Sequence, residues 1–291
     1  MMIKLHAPDF VHTCTELIRQ AACDLPEDIL SSIRSAQRDE APGSIAFDTI
    51  GSILDNIERA RTQQRPVCQD TGMPCFSVDM PYGASMQTIR EQINEAVVLA
   101  TRDGYLRPNA VDPVTGKNSG NNLGIDIPVI HFREWKKNTM RVACMLKGGG
   151  SENVSAQYSL PEPALQAGRD LEGVSACVLD AVWKAQGKGC SPGIIGVGIG
   201  GDRITGMQKA KDQLFRLMKD ENPDPVLSDL ERTLYEKINR MGIGPMGLGG
   251  NTTVLGVKIG SAHRHPACYF VSIAYMCWAC RRSVMEFEAE I

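Results

Sequence analysis

The sequence predicts an α+β chain, with a helical N-terminal part (about residues 1–103) packed on a mixed-sheet core (about residues 104–291). Three observations carry this reading. Apolar residues in the first hundred positions recur at helical spacing. From residue 104 the texture changes to glycine-rich loops separating apolar runs of strand length. The 291 residues are 43% apolar and 22% charged, enough for a sizeable core, which is mainly aliphatic because aromatic residues are only 5%. No repeat, low-complexity tract or linker interrupts the chain, so residues 1–291 read as one domain.

The elements follow in order. Pro26, Glu27 and Asp28 open a helix, with the acids at the positive end of its dipole. Ile45, Ile50, Ile53, Leu54 and Ile57 form the stripe of a second helix. Ser85 caps a third that carries Ile89, Ile93, Val97 and Ala100 and stops at Gly104. Residues 104–124 form a long loop. Strands follow at 125–132 and 140–146, the second with Met140, Val142, Cys144 and Leu146 on one face. A helix is expected over 163–186, and Cys190-Ser-Pro192 breaks the chain before a buried strand at 194–199. Charged helices around 203–220 and 226–241 flank the breaker Asn222-Pro-Asp-Pro225. A strand at 252–259 and an apolar run at 268–278 lead to Arg281 and Arg282.

Formal net charge is −3. That excludes a general electrostatic attraction to nucleic acid or to an anionic membrane. The longest apolar run, 267–280, is too short to cross a bilayer as a helix. No secretory h-region opens the sequence, so the cytoplasm is the expected compartment. There the ten cysteines are expected as thiols, most of them small core hydrophobes and the rest ligands.

Several segments hold candidate chemistry. Cys68-Gln-Asp-Thr-Gly72 is either an ordinary turn with a half-buried cysteine or a ligand loop, and Cys190-Ser-Pro-Gly193 poses the same choice. Cys277-Trp-Ala-Cys280 is a CxxC, open to redox or metal-binding readings. A structural zinc site would need a second close pair, which the sequence lacks. The glycine run 196–201 fits GxGxxG, but no acid-terminated second strand follows on schedule, so close backbone packing is preferred to nucleotide binding. His263-Arg-His265 is dense in titratable groups suited to acid–base work or carboxylate binding. Arg107, Lys117, Arg281 and Arg282 are either surface charge or anion ligands.

Taken together, the segments CQDTG (68–72), LRPNAV (106–111), TGKNSG (115–120), KGGGSEN (147–153), CSPGIIGVGIGG (190–201), IGPMGLGGNTTVLGVKI (243–259), HRHPA (263–267) and YMCWACRR (275–282) resemble the class I, iron–sulfur fumarate hydratases and the related L-tartrate dehydratases. The likeness is to the α subunit, or N-terminal catalytic domain, and covers about residues 40–285. It implies a [4Fe-4S] cluster on Cys68, Cys190 and Cys277, with Cys280 not a ligand. Ser191 stands where the family often has Pro. The resemblance implies substrate contacts from Gln69, Asp70, Arg107, Gly149 and His265, with Asp70 or His265 managing protons and Lys147 and Ser151 as lesser candidates. It implies reversible hydration of fumarate to (S)-malate, a tricarboxylic acid cycle reaction, with L(+)-tartrate dehydration as the alternative. A non-catalytic metal-binding or NAD-binding protein is the distant alternative. Single-chain members resemble this chain plus a second domain. The expectation is therefore an α subunit whose active site is completed by a β subunit, in a hetero-oligomer such as α2β2.

Overall fold

The computed structural model describes residues 7–288 and has the α+β composition expected, in two compact units that interleave in sequence. The first unit comprises residues up to Pro26, Asn56–Gly149 and those from Cys280 on; the second comprises Glu27–Asp55 and Gly150–Ala279. Each unit therefore draws on both the helical N-terminal part and the remainder of the chain.

The first unit is built on a sheet of order β2-β1-β3-β8, formed by β1 (Met73–Pro81), β2 (Val129–Trp135), β3 (Thr139–Lys147) and β8 (Arg282–Glu288). β1 runs parallel to β2 and antiparallel to β3, which in turn pairs antiparallel with β8. Helices α1 (Ala7–Cys23) and α4 (Met86–Arg102) supply Leu17, Ile18, Ile89, Ile93 and Val97 to a core shared with Phe76, Val78, Met140 and Val142. Ser85 caps α4 as expected, its hydroxyl accepting from Thr88 N. The expected strand at 125–132 forms instead as β2, beginning at Val129. Pro128 has no N–H to give a ladder, so pairing starts after it.

The second unit is built on a sheet of order β4-β7-β5-β6, formed by β4 (Ala156–Ser159), β5 (Gly193–Gly200), β6 (Val254–Ala262) and β7 (Phe270–Met276). β5 pairs parallel with β6 and antiparallel with β7. The helices of this unit are α2 (Glu27–Arg38), α6 (Leu171–Ala185), α7 (Arg203–Gln213) and α8 (Pro225–Asn239). α3 (Ile45–Gln63) and the short α5 (Gly149–Asn153) each straddle a unit boundary. The glycine run is packing chemistry. A Cβ on Gly196 or Gly198 would stand 2.1 Å from the carbonyl oxygen of Ala210 or Gly206 on α7. The N-terminus of α7, where a dinucleotide phosphate would sit, is filled by the Asp202 carboxylate accepting from Thr205 N.

Three strands depart from expectation. β1 lies in a stretch that reads as helical, and the short β4 and the seven-residue β8 have no predicted counterpart. Charge is buried in both units. In the first, Asp79 on β1 accepts from Arg133 and Arg141. In the second, Lys258, Asp220, Arg216 and Glu231 form one network.

Candidate active site

Three of the sequence segments singled out converge in the first unit. Val67 N donates to Ala22 O and Asn56 Nδ2 to Val67 O, which pins the chain just before the half-buried Cys68. Asp70 then ties the loop to the glycine turn after β3: its carboxylate accepts from Gly72 N at 3.0 Å and from Gly149 N at 2.8 Å. Gly72 sits at φ +79°, and a Cβ there would lie 2.8–2.9 Å from backbone atoms of Leu146 and Lys147. Only glycine allows the loop to lie this close to the strand end. Buried Thr71 reaches the LRPNAV loop, its hydroxyl accepting from Arg107 N at 2.9 Å and Asn109 Nδ2 at 3.2 Å. Asn122, buried beneath, accepts from Asn109 N and donates to Arg107 O. This clamp fixes the backbone of Arg107 and leaves its side chain exposed. Gln69 is also exposed and makes no hydrogen bond among the described residues.

Arg281, whose alternative reading was surface charge, is 1% exposed, and Arg282 is also buried. Nη1 of Arg281 donates to the Asp70 carbonyl, and Nη2 lies against Gly148. Its Nε has no partner, and among the described residues the guanidinium forms no ion pair. A desolvated cation without a counter-ion is costly, so this part of the unit favours negative charge. Gln69, Asp70, Arg107, Gly149 and Arg281 thus gather around one backbone turn that starts at Cys68. The pairing of Arg281 with Asp70 had no signal in the sequence beyond the two arginines themselves.

A second convergence lies in the second unit. Cys190 adopts left-handed backbone (φ +54°), which is unfavourable for a side-chain-bearing residue, and two backbone hydrogen bonds hold it there. Cys190 N donates to Gly187 O, and Trp278 N donates to Cys190 O at 3.2 Å, so the residues around Cys190 and Cys277 are adjacent despite their separation in sequence. Ser191 is fully buried. Its hydroxyl donates to Gly244 O and accepts from Gly247 N, locking this loop to the IGPMG segment. Glu40 locks the next stretch, its buried carboxylate accepting from Asn251 N and Thr252 N. Tyr275 packs its ring against Gly189 and Gly193 on either side of the Cys190 turn, at distances that exclude any Cβ. Burial, and then the neighbouring Cys277 and Cys190, push its hydroxyl above the ordinary tyrosine range.

The ten cysteines are all thiols and fall into two sets. Cys14, Cys23, Cys144, Cys177 and Cys280 are buried. Burial raises Cys14 to about 12 and Cys23 and Cys177 to about 11, which holds them protonated. Cys68, Cys190 and Cys277 are half-buried, as are Cys75 and Cys268. The CxxC is divided: Cys277 is half-buried in the second unit, whereas Cys280 is fully buried in the first, beside Arg282 Nη1. Among the described residues no three His, Cys, Asp or Glu side chains form a group suited to a metal ion. The donor types still fit a cluster with thiolate ligands. The three cysteines have partial access, and the Tyr275 ring that packs on either side of the Cys190 turn carries a buried hydroxyl with no hydrogen-bond partner.

His265 is placed elsewhere. It is exposed in the turn before β7, with Nδ1 accepting from Ala267 N and its carbonyl from Cys268 N. Cys277 follows the other end of that strand. The seven residues of β7, about 23 Å long at ~3.3 Å per residue, run between them. Buried Lys147 ends β3, and buried Ser151 passes its carbonyl to the Ser155 hydroxyl.

Among the described residues no helix is long and apolar enough to cross a membrane. The family described as "Fumarate hydratase (Fumerase)" matches residues 11–286. A protein of Geobacillus stearothermophilus provisionally named class I fumarate hydratase is 50% identical over 270 residues, 92% of this chain, and the chain spans about half (52%) of that relative's length. A Methanocaldococcus jannaschii protein provisionally named L(+)-tartrate dehydratase subunit alpha is 36% identical, covering 94% of this chain and 96% of its own. The L(+)-tartrate dehydratase subunit alpha of Escherichia coli (strain K12) is 30% identical over the whole of this chain and 96% of its own. The chain belongs to the fumarate hydratase (Fumerase) family.

Proposed function

We propose that the chain acts as the α-type catalytic domain of a cytoplasmic iron–sulfur hydro-lyase, interconverting fumarate and (S)-malate, with L(+)-tartrate as the alternative substrate. The observation that carries this reading is the turn at Cys68, where Asp70, Gly149 and Arg281 are joined by hydrogen bonds and exposed Gln69 and Arg107 stand on fixed backbone. A small dicarboxylate is bound by such a mixture of cation and amide donors.

Cys68, Cys190 and Cys277 are the residues that would hold a [4Fe-4S] cluster. When bound, such a cluster supplies an iron with an open position, a Lewis acid for a substrate carboxylate and hydroxyl. The chain's own residues then divide the remaining work. Arg107 binds a carboxylate through its guanidinium, and Gln69 supplies an amide donor. Gly149, whose N–H is held by the Asp70 carboxylate, stands beside this loop as a further substrate contact. Asp70, whose carboxylate accepts two backbone N–H groups, holds this turn in register and is the first candidate for managing protons, two residues from Cys68. His265, exposed in the turn before β7, is the second candidate for managing protons at the substrate.

The two subunit-alpha relatives match this chain over nearly their full lengths. That supports a β subunit as the partner that completes the site, in an assembly such as α2β2. Reduced thiols throughout suit a reducing cytoplasm.

Anaerobic reconstitution with iron and sulfide tests the proposal. The expected result is a brown protein that bleaches in air, is nearly inactive alone, and hydrates fumarate once the β subunit is added. Tartrate turnover exceeding malate turnover would select the alternative substrate. A colourless chain with one tight zinc would overturn the reading.

A further inference from the structure

Tyr275 is 1% exposed, and its hydroxyl is buried without a hydrogen-bond partner. A buried phenol that leaves its donor unused bears the full desolvation penalty of that group, so phenylalanine would suit a purely structural position better. The surroundings nevertheless hold the ring firmly. A Cβ on Gly189 or Gly193 would stand only 2.4 or 2.5 Å from its ring atoms, and Tyr275 N donates to Ser155 Oγ. The hydroxyl lies within electrostatic reach of both Cys277 and Cys190, the two thiols that the Trp278–Cys190 hydrogen bond makes neighbours.

We propose that Tyr275 is a positioning residue whose hydroxyl donates a hydrogen bond to a cysteine sulfur of the bound cluster, that of Cys190 or Cys277. This rests on the cluster reading given above. An iron-bound thiolate is a better acceptor than a protonated thiol, so the bond belongs to the loaded site. A hydrogen bond to a ligand sulfur withdraws electron density from it. That stabilises the reduced cluster and weakens the iron–sulfur bond. Tyr275 would thereby set the cluster's potential and its resistance to oxidation without touching substrate.

The test compares the full chain with its Tyr275→Phe variant, both reconstituted anaerobically with iron and sulfide. The variant keeps the ring and so its packing against Gly189 and Gly193. The expected results are unchanged iron content, a reduction midpoint shifted to more negative potential, and iron–thiolate stretching bands at higher frequency in resonance Raman spectra. 3-Fluorotyrosine at position 275, a stronger donor of the same shape, is expected to move the midpoint in the opposite direction. This second variant also covers the case in which Tyr275→Phe folds poorly. Iron-loaded wild type and variants with the same midpoint and bands would overturn this inference alone. A wild-type chain that takes up no iron would overturn the cluster reading and this inference with it.

Discussion

Replacing Gly72 by alanine is expected to destabilise the first unit by much more than the same change at Gly104, although the two glycines have nearly the same backbone angle, φ +79° and +82°. Left-handed backbone costs an alanine about 1–2 kcal/mol at either position. The gain from stiffening the unfolded chain, about 0.4–1 kcal/mol, is also common to both. What differs is space. A Cβ at Gly104 meets nothing within 4 Å. At Gly72 it meets Leu146 C at 2.8 Å and Lys147 N and C at 2.9 Å, backbone atoms of β3 that cannot swing aside. Overpacking of this kind costs about 1–3 kcal/mol. The Gly72→Ala variant is therefore expected to be about 1–3 kcal/mol less stable than Gly104→Ala, roughly 5- to 150-fold in the opening equilibrium. Hydrogen exchange of peptides from β1 and β3 reads this quantity in the first unit directly. With the β subunit added, the Michaelis constant of the proposed fumarate hydration should rise with Gly72→Ala alone, because the same overlap pushes Asp70 away from Gly149. Equal losses in the two variants would refute the view that close approach, and not backbone angle, requires glycine at 72.

Other expectations follow from particular contacts. Serine at Cys68, Cys190 or Cys277 is expected to abolish iron binding, whereas Cys280→Ala keeps it, as iron analysis of reconstituted protein would show. His265→Asn is expected to lower fumarate hydration in the presence of the β subunit with iron content unchanged; unaltered turnover would remove His265 from the proton-transfer work. Arg281→Lys keeps the charge but loses the planar fork that reaches the Asp70 carbonyl, so the Michaelis constant should rise with iron content unchanged. Burial opposes charge on Asp220, but hydrogen bonds from Arg216 and Lys258 outweigh it and hold the carboxyl below its ordinary value. Its stabilising contribution is thus complete above about pH 4 and lost as pH falls through the depressed value. Asp220→Asn should flatten the acid limb of a stability–pH curve measured by urea titration.

The fold was legible where one face of an element decides its period. The stripe through Ile89, Ile93 and Val97, the alternation from Met140 to Leu146 and the buried run at 194–199 all appear as the elements expected of them. β1 escaped because helices bracket it. Its own signal is clean, since Phe76, Val78 and Met80 alternate with Ser77 and Asp79. But Asp79 becomes tolerable inside only through Arg133 and Arg141, and no local rule reports pairs so distant in sequence. The candidate site shows the same division. Gly72, Gly189 and Gly193 could be marked as close approaches, but what approaches them is fixed by tertiary structure. For Gly72 it is the end of β3, and for the other two it is the ring of Tyr275. The CxxC shows the opposite error, because spacing alone makes Cys277 and Cys280 a pair, whereas Cys280 turns inward to the start of β8. His265 gives the sharpest case. Its chemistry is legible from the residue type, but its distance from Cys277 depends on β7 running fully extended between them, and a strand converts a short sequence separation into a long spatial one.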